Sequence, residues 1–523
     1  MPERSVLAVV TKNTAKNEKG RRQSMKYLGI EFGSTRVKAV VVDESFRTVA
    51  SGSHVWENKL EGGYWTYSLE DVVDALQRAF AAAAADFAAK TGSALSSIDA
   101  IGISGMMHGY LPFDAGWNLL APFRTWRNTT TAQAAAELSR LLDFNIPQRW
   151  SIAHYHQARL NGEAHVPGVA HLTTLAGWVH WRLTGVNALG VGEASGMFPV
   201  DASGGWDSSR LAKYREAYGV DLVALLPDVL PAGACAGRLT EDGARLIDPT
   251  GTLKPGALMA PPEGDAGTGM VATNAVAART GNISAGTSVF AMVVLEKPLA
   301  SAYPEIDMVT TPSGLPVAMV HCNNCTSDLN AWVGLLGGDF DALFRESLNA
   351  APDAGGVVMV PFVSGEPVAG VETGAPLVAR TPGAEFTRAN FMRAAIYSAF
   401  ATLKMGMDIL AREKCALDSL TAHGGIFTTP GVAQQYLADA LETSVTCLET
   451  AGEGGPWGMA VLAAYAAAQG GEVALEEFLA QRVFKDAKGV ACAPDEKGVA
   501  GFKAYMERFA KALEAEKAIC SMN

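Results

Sequence analysis

Two short polar turns and one acid hold the residue types that could do chemistry in this chain. In "LGIEFGSTRVKAVVVDES", Leu28 to Ser45, a β-branched run is interrupted by Glu31, Gly33, Ser34 and Thr35 before a second apolar run begins. An ordinary hairpin turn calls for Asn-Gly or Asp-Gly and has no use for an acid followed by two hydroxyls. Successive backbone N–H groups in a glycine-containing turn form a concave nest for anionic oxygens, and Ser and Thr hydroxyls add donors, so phosphate fits here. Glu31 repels phosphate, and a carboxylate at that place makes sense through Mg²⁺ or its water shell. Lys38 offers a nearby positive charge, its commoner role being a solvated strand residue. The design recurs in "TGNISAGTSVFAMVVLEKP": a short run ending at Ser284, a turn at Gly286, Thr287 and Ser288, then a strand from Val289 to Leu295. Two such turns facing each other would clamp a polyphosphate. Before the second one, "APPEGDAGTGMVA" sets Asp265 after Gly264 at a glycine-rich helix entry, where a carboxylate projects into a cleft and suits a general base.

Other motifs carry less. Gly267, Gly269 and Ala272 form a G-x-G-x-x-A pattern, but Pro261 and Pro262 interrupt the strand that a dinucleotide site needs upstream. No Gly-Lys pair exists, which removes a Walker A loop. Cys322 and Cys325 in "HCNNC" have no second cysteine pair to complete a zinc site, and the haem-attachment order is reversed; a buried pair or a helix-start turn accounts for them. His154 and His156, in "SIAHYHQARLNG", alternate as on a strand or turn and are read as structural.

These residues need rigid elements to hold them. "SLEDVVDALQRAFAAAAADFAAKTG" begins at Ser68, has Asp71 in its first turn and stops at Gly92, which predicts one long helix. "SIDAIGISGMMHG" predicts a buried strand from Ile101 to Ser104 that ends in a loop with Met107 and His108. A second helix is expected over about 389–412, followed by a strand, a Gly424–Gly425 turn and another helix. Strands followed by helices, with a repeated hairpin, predict an α/β chain of two related halves, 25–272 and 273–512, divided in the stretch from Val271 to Thr280.

Length and charge agree with such a reading. A chain of 523 residues, 49% of them apolar, is too long for one core. The net charge of −12 argues against general nucleic-acid binding. No uninterrupted apolar run approaches the roughly 18 to 20 residues that span a bilayer, so no membrane partner is expected. Residues 1–24 read as a disordered tail or an upstream start, with Met25 beginning the folded part. Seven scattered cysteines with no secretory signal fit a reducing cytoplasm. A homodimer is one assembly open to the chain.

Taken in order, the motifs resemble the FGGY family of carbohydrate kinases, among the sugar kinase, Hsp70 and actin-like ATPases. "GIEFGSTRVKAVVVD" is similar to the family's first phosphate motif and "IGISGMMHG" to the sugar-contact loop of its xylulokinase-like branch. "FRTWRNTT" stands where the family has Trp-x-Asp-x-Arg, "EGDAGTG" carries the base, "SAGTS" is the second phosphate motif and "AHGGIFTTP" the adenosine turn. The likeness runs from Met25 to about residue 510. It implies two ribonuclease H-like domains that close on ATP, Mg²⁺ and a small sugar. It further implies Asp265 as base and Mg²⁺ near Glu31 and Asp265. Phosphates would lie on Gly33, Ser34, Thr35, Lys38, Gly286, Thr287 and Ser288, and adenosine against Gly424 and Gly425. Met107, His108, Trp126, Arg127 and Asn128 would contact sugar. The chain departs from the family in having Glu31 for Asp, and Asn128 and Thr130 for Asp and Arg, which bears on substrate choice. The expected activity is phosphorylation of a ketose such as a pentulose. The alternatives are a kinase of a polyol or sugar acid, and a non-catalytic sensor or actin-like ATPase.

Overall fold

The computed structural model describes residues 25–449, 454–468 and 472–521. The tail expected over 1–24 lies outside them. Strand β1 (Lys26–Phe32) pairs antiparallel with β2 (Arg36–Asp43), putting Glu31 opposite Lys38, and β2 pairs antiparallel with β3 (Thr48–Val55). On the other side of β1 lies β4 (Ala100–Gly105), in parallel, and β4 in turn carries the short parallel strands β5 (Leu258–Met259) and β6 (Glu263–Gly264). Helix α1 (Leu69–Thr91) covers β2 and β3. It starts and stops where the sequence predicts: Ser68 Oγ accepts the Asp71 N–H, and Gly92 closes it at φ 70°.

The second sheet repeats the plan. Its order is β9–β10–β8–β7–β11–β12–β13, formed by β7 (Thr280–Ala285), β8 (Val289–Val294), β9 (Ile306–Thr310), β10 (Pro316–Cys322), β11 (Ser419–His423), β12 (Val445–Leu448) and β13 (Gly489–Cys492). Again an antiparallel hairpin, β7–β8, is followed outward by antiparallel β10, and again a parallel strand, β11, flanks the first strand of the hairpin. Both polar turns are thus the tips of equivalent hairpins.

Two helices depart from what the sequence predicts. His154 and His156 lie in α2 (Ser151–Leu160), not on a strand or turn; every residue from Ser151 to Ala158 is buried. A helix enclosed on all sides has no polar face, so the apolar period that reveals helices is absent. Helix α6 (Arg388–Arg412) lies where the sequence predicts a helix, and among the described residues it is the one with the length and composition of a membrane span. It is mostly buried among the elements of the second sheet, with Asn390 and Arg393 in its buried set. The second departure is α7 (Gly454–Ala467), which lies in sequence between β12 and β13 of the second sheet yet packs on β1, β2 and β4 of the first and against α4 (Asp265–Ala272).

Candidate functional site

Asp265 is the first residue of α4, delivered by β6 at the carboxyl end of β4. The loop after β4 holds Met107 and His108. The Met107 and Ala266 N–H groups face the Asp265 carboxylate, the latter at 3.0 Å. Asp265 is exposed on one side and walled by protein elsewhere, and that enclosure raises its carboxyl to about 6 in spite of those N–H groups. A carboxylate that is reachable and only partly desolvated can accept a proton near neutral pH.

Glu31 stands beside it at the end of β1. Burial first, and then the negative charge of Asp265, raise it to about 7, while Lys38 across the hairpin lowers it. A Cβ on Gly455, at the start of α7, would come within 1.7 Å of Glu31 Oε2 and 2.9 Å of Thr268 Oγ1, so glycine lets α7 close over the pair. Two neighbouring carboxylates held up chiefly by enclosure, Asp265 adding to the shift of Glu31 and Lys38 opposing it, form a site that a divalent ion would relieve. Among the described residues no three acids, histidines or cysteines converge on such an ion. Mg²⁺ suits this, since it keeps several waters and takes one or two carboxylates plus phosphate oxygens.

The first turn is braced from behind. Gly33 N–H bonds the Arg36 carbonyl at 3.1 Å, Trp56 Nε1 donates to the Gly33 carbonyl at 2.7 Å, and the Tyr67 hydroxyl donates to the Ser34 carbonyl. Trp126 Nε1 donates to Ser34 Oγ at 3.1 Å, which seats that exposed indole beside the turn. At the second turn, Gly286 N–H bonds the Ser288 carbonyl at 2.8 Å. Cys325 and Thr326, at the start of α5 (Thr326–Leu335), donate N–H groups to the Thr287 and Gly286 carbonyls. Cys322 and Cys325 are accordingly a buried strand end and a helix-start turn. Gly424, at φ 124°, abuts this turn: a Cβ would meet the Ala285 carbonyl oxygen at 2.0 Å. A Cβ on Gly425 would meet nothing within 4 Å, so that side of its backbone is open to a planar ligand.

His108 has φ 69°, a strained value for a residue with a Cβ. Its Nδ1 lies 2.9 Å from the Gly196 carbonyl, which can only accept, so Nδ1 carries the proton and Nε2 is left as an acceptor. Burial holds its proton affinity down to about 3.

Asn128, expected to contact sugar, has its amide bonded within the protein. It is buried, both Nδ2 protons go to the Trp65 and Thr125 carbonyls at 2.9 Å, and Oδ1 accepts the Trp65 N–H at 2.9 Å. The amide rivets the loop to the Tyr64–Thr66 strand and has little left for a sugar hydroxyl. Arg127 stays exposed, its guanidinium 3.7 Å from the centre of the Trp65 ring.

Sequence reasoning missed the acids behind Asp265. Glu263 is buried and accepts the Glu193 N–H at 3.0 Å, capping α3 (Val191–Ala194); burial raises it to about 8. Glu193 is wholly buried and raised well above its usual range by burial, with the Thr174 hydroxyl lowering it only in part. Nothing in "GEASG" marks it in the sequence.

Residues 26–250 match the N-terminal domain of the FGGY family of carbohydrate kinases, and residues 281–467 match its C-terminal domain. A xylulose kinase from Haemophilus influenzae is 23% identical over 440 residues, 81% of this chain and 87% of its own. A ligand-bound xylulose kinase from Lactobacillus acidophilus superposes with a TM-score of 0.80 at 15% identity, covering 94% of this chain and 98% of its own. A gluconate kinase from the same organism gives 0.80 at 16% identity with the same coverage. Structures this distant in sequence speak to the fold alone.

Proposed function

The chain belongs to the FGGY family of carbohydrate kinases, and from that premise we propose that it phosphorylates a terminal hydroxyl of a pentulose or related ketose. Membership makes it an ATP-dependent sugar kinase, and its repeated sheets are the paired ribonuclease H-like units of the actin-like ATPase fold. The non-catalytic sensor gives way to an enzyme. The observation that carries the acceptor reading is the contact between Asp265 and the Met107–His108 loop.

In this reading the acceptor lies on Met107 and His108, with His108 Nε2 accepting a hydrogen bond from one hydroxyl and Trp126 offering an apolar face to C–H groups. Asp265 takes the proton of the attacking hydroxyl as its oxygen bonds to the γ-phosphorus and the bond to the leaving ADP oxygen breaks. Gly33, Ser34 and Thr35 from one hairpin, and Gly286, Thr287 and Ser288 from the other, hold phosphate oxygens. Gly424 and Gly425 flank adenosine. Glu31 and Asp265 would hold Mg²⁺, which when bound neutralises phosphate charge.

A coupled ADP-release assay over ketoses, polyols and sugar acids tests the substrate. Because Asn128 is tied to backbone, the sugar edge differs from a xylulokinase's, and D-xylulose should be turned over but not be the best ketose. Turnover of glycerol or a sugar acid with no ketose activity would overturn the ketose assignment and leave the kinase.

A further inference from the structure

Side chains alternate along a strand, and on β10 the two faces have different neighbours. Ala318, Val320 and Cys322 belong to the core under the second sheet, whereas Val317 and Met319 belong to the same buried cluster as Met107, Trp150 and Met197 of the first half. His321 continues this latter face. It stands opposite Phe290 in the register, ring centroids 6.4 Å apart, and its charge is felt at His108. Its remaining charged neighbours are Arg149 and Asp307. Val317 and Met319 are buried, but His321 is only half-buried and neither ring nitrogen has a hydrogen-bond partner among the described residues. An imidazole brought to the edge of the acceptor loop with both nitrogens unused is built to meet something from the cleft.

We propose that His321, supplied by the second half, determines acceptor specificity by hydrogen bonding a sugar hydroxyl other than the one that attacks. The proposal rests on the acceptor lying at Met107, His108 and Asp265. Two observations define the hydroxyl's chemistry as neutral. Arg149 is taken up in an ion pair with Asp307, whose other oxygen accepts from Asn145 Nδ2 at 3.1 Å, so no spare cation awaits a carboxylate there. Burial, with Arg149 beside it, holds the His321 imidazole down to about 4, so it is uncharged when the enzyme works. An uncharged imidazole gives one donor and one acceptor, which suits a hydroxyl, itself donor and acceptor, better than an acceptor-only carboxylate.

The test uses His321→Ala and His321→Gln in the full chain, with the best ketose and its monodeoxy analogues. His321→Ala should raise KM for the sugar roughly three- to tenfold, the size of one lost hydrogen bond. KM for ATP should hold, and the penalty that the wild type shows for one particular deoxy position should vanish. His321→Gln, which keeps a donor and an acceptor, should restore part of that penalty and stands in if the alanine variant does not fold. Deoxy penalties unchanged in both variants, with normal ketose turnover by the wild type, would overturn the role of His321 alone. A wild type that phosphorylates sugar acids and no ketose would overturn both this role and the acceptor reading.

Discussion

Asp265 and Glu31 are each held above the usual carboxylate range, chiefly by enclosure, and Asp265 adds to the shift of Glu31. Their roles separate by what each touches. Asp265 meets the acceptor loop, so Asp265→Asn should lower kcat roughly 10²-fold or more while nucleotide binding is kept. Steady-state kinetics beside a nucleotide titration reads this, and unchanged turnover would remove Asp265 as base. Glu31 faces Asp265, and in the fold its ionised form is costly without a cation. Glu31→Gln should therefore raise the Mg²⁺ concentration needed for half-maximal activity with little change in Tm. A large drop in Tm with the same Mg²⁺ midpoint would make Glu31 a structural residue.

Helix α2 carries its polar residues inward. His154 is fully buried, stacked on Tyr110 with centroids 6.3 Å apart, and burial holds it down to about 3. In the unfolded chain the same imidazole protonates near 6.5. Its neutral form therefore stabilises the fold above pH 6.5, and that contribution is lost as the pH falls from 6.5 toward 3, by up to about 1.4 kcal/mol per pH unit. His108 behaves alike, so the wild type should lose stability steeply on acidification. His154→Phe should flatten the dependence of the urea midpoint on pH between about 6.5 and 4.5. Parallel curves for variant and wild type would show that His154 does not govern it.

Across the whole molecule the two halves already meet at the acceptor end. Arg149 and Asn145 bond Asp307, and the Thr310 N–H bonds Ser195 Oγ at 3.0 Å. Among the described residues no hydrogen bond joins the two phosphate turns; each is braced within its own half. We propose that the nucleotide end closes about the acceptor end, with residues 273–279 between α4 and β7 as one hinge strand of the chain. The division at 272/273 leaves α7 packed on the first sheet, so α7 must hold its place against α4 as the halves move. Small-angle scattering with a non-hydrolysable ATP analogue and sugar should give a smaller radius of gyration than the free protein. An unchanged radius would mean that the cleft is closed from the outset.

The sequence by itself determined what depends on near neighbours. Both hairpin turns, the Ser68 and Gly92 ends of α1 and the acid at the start of α4 are local patterns of turn, cap and alternation, so they could be read without a structure. The ordered motifs carried the family as well. Tertiary structure decided what depends on burial by distant segments. Asn128 matches a sugar motif in position, yet the Trp65 backbone consumes its amide. Complete enclosure removed the helical period from α2, and the return of α7 to the first sheet leaves no mark in its apolar composition. Glu193 and Glu263 acquire meaning only because packing sets α3 on β6, and His321 only because the register sets β10 beside β8, and no spacing along the chain encodes contacts between segments so far apart.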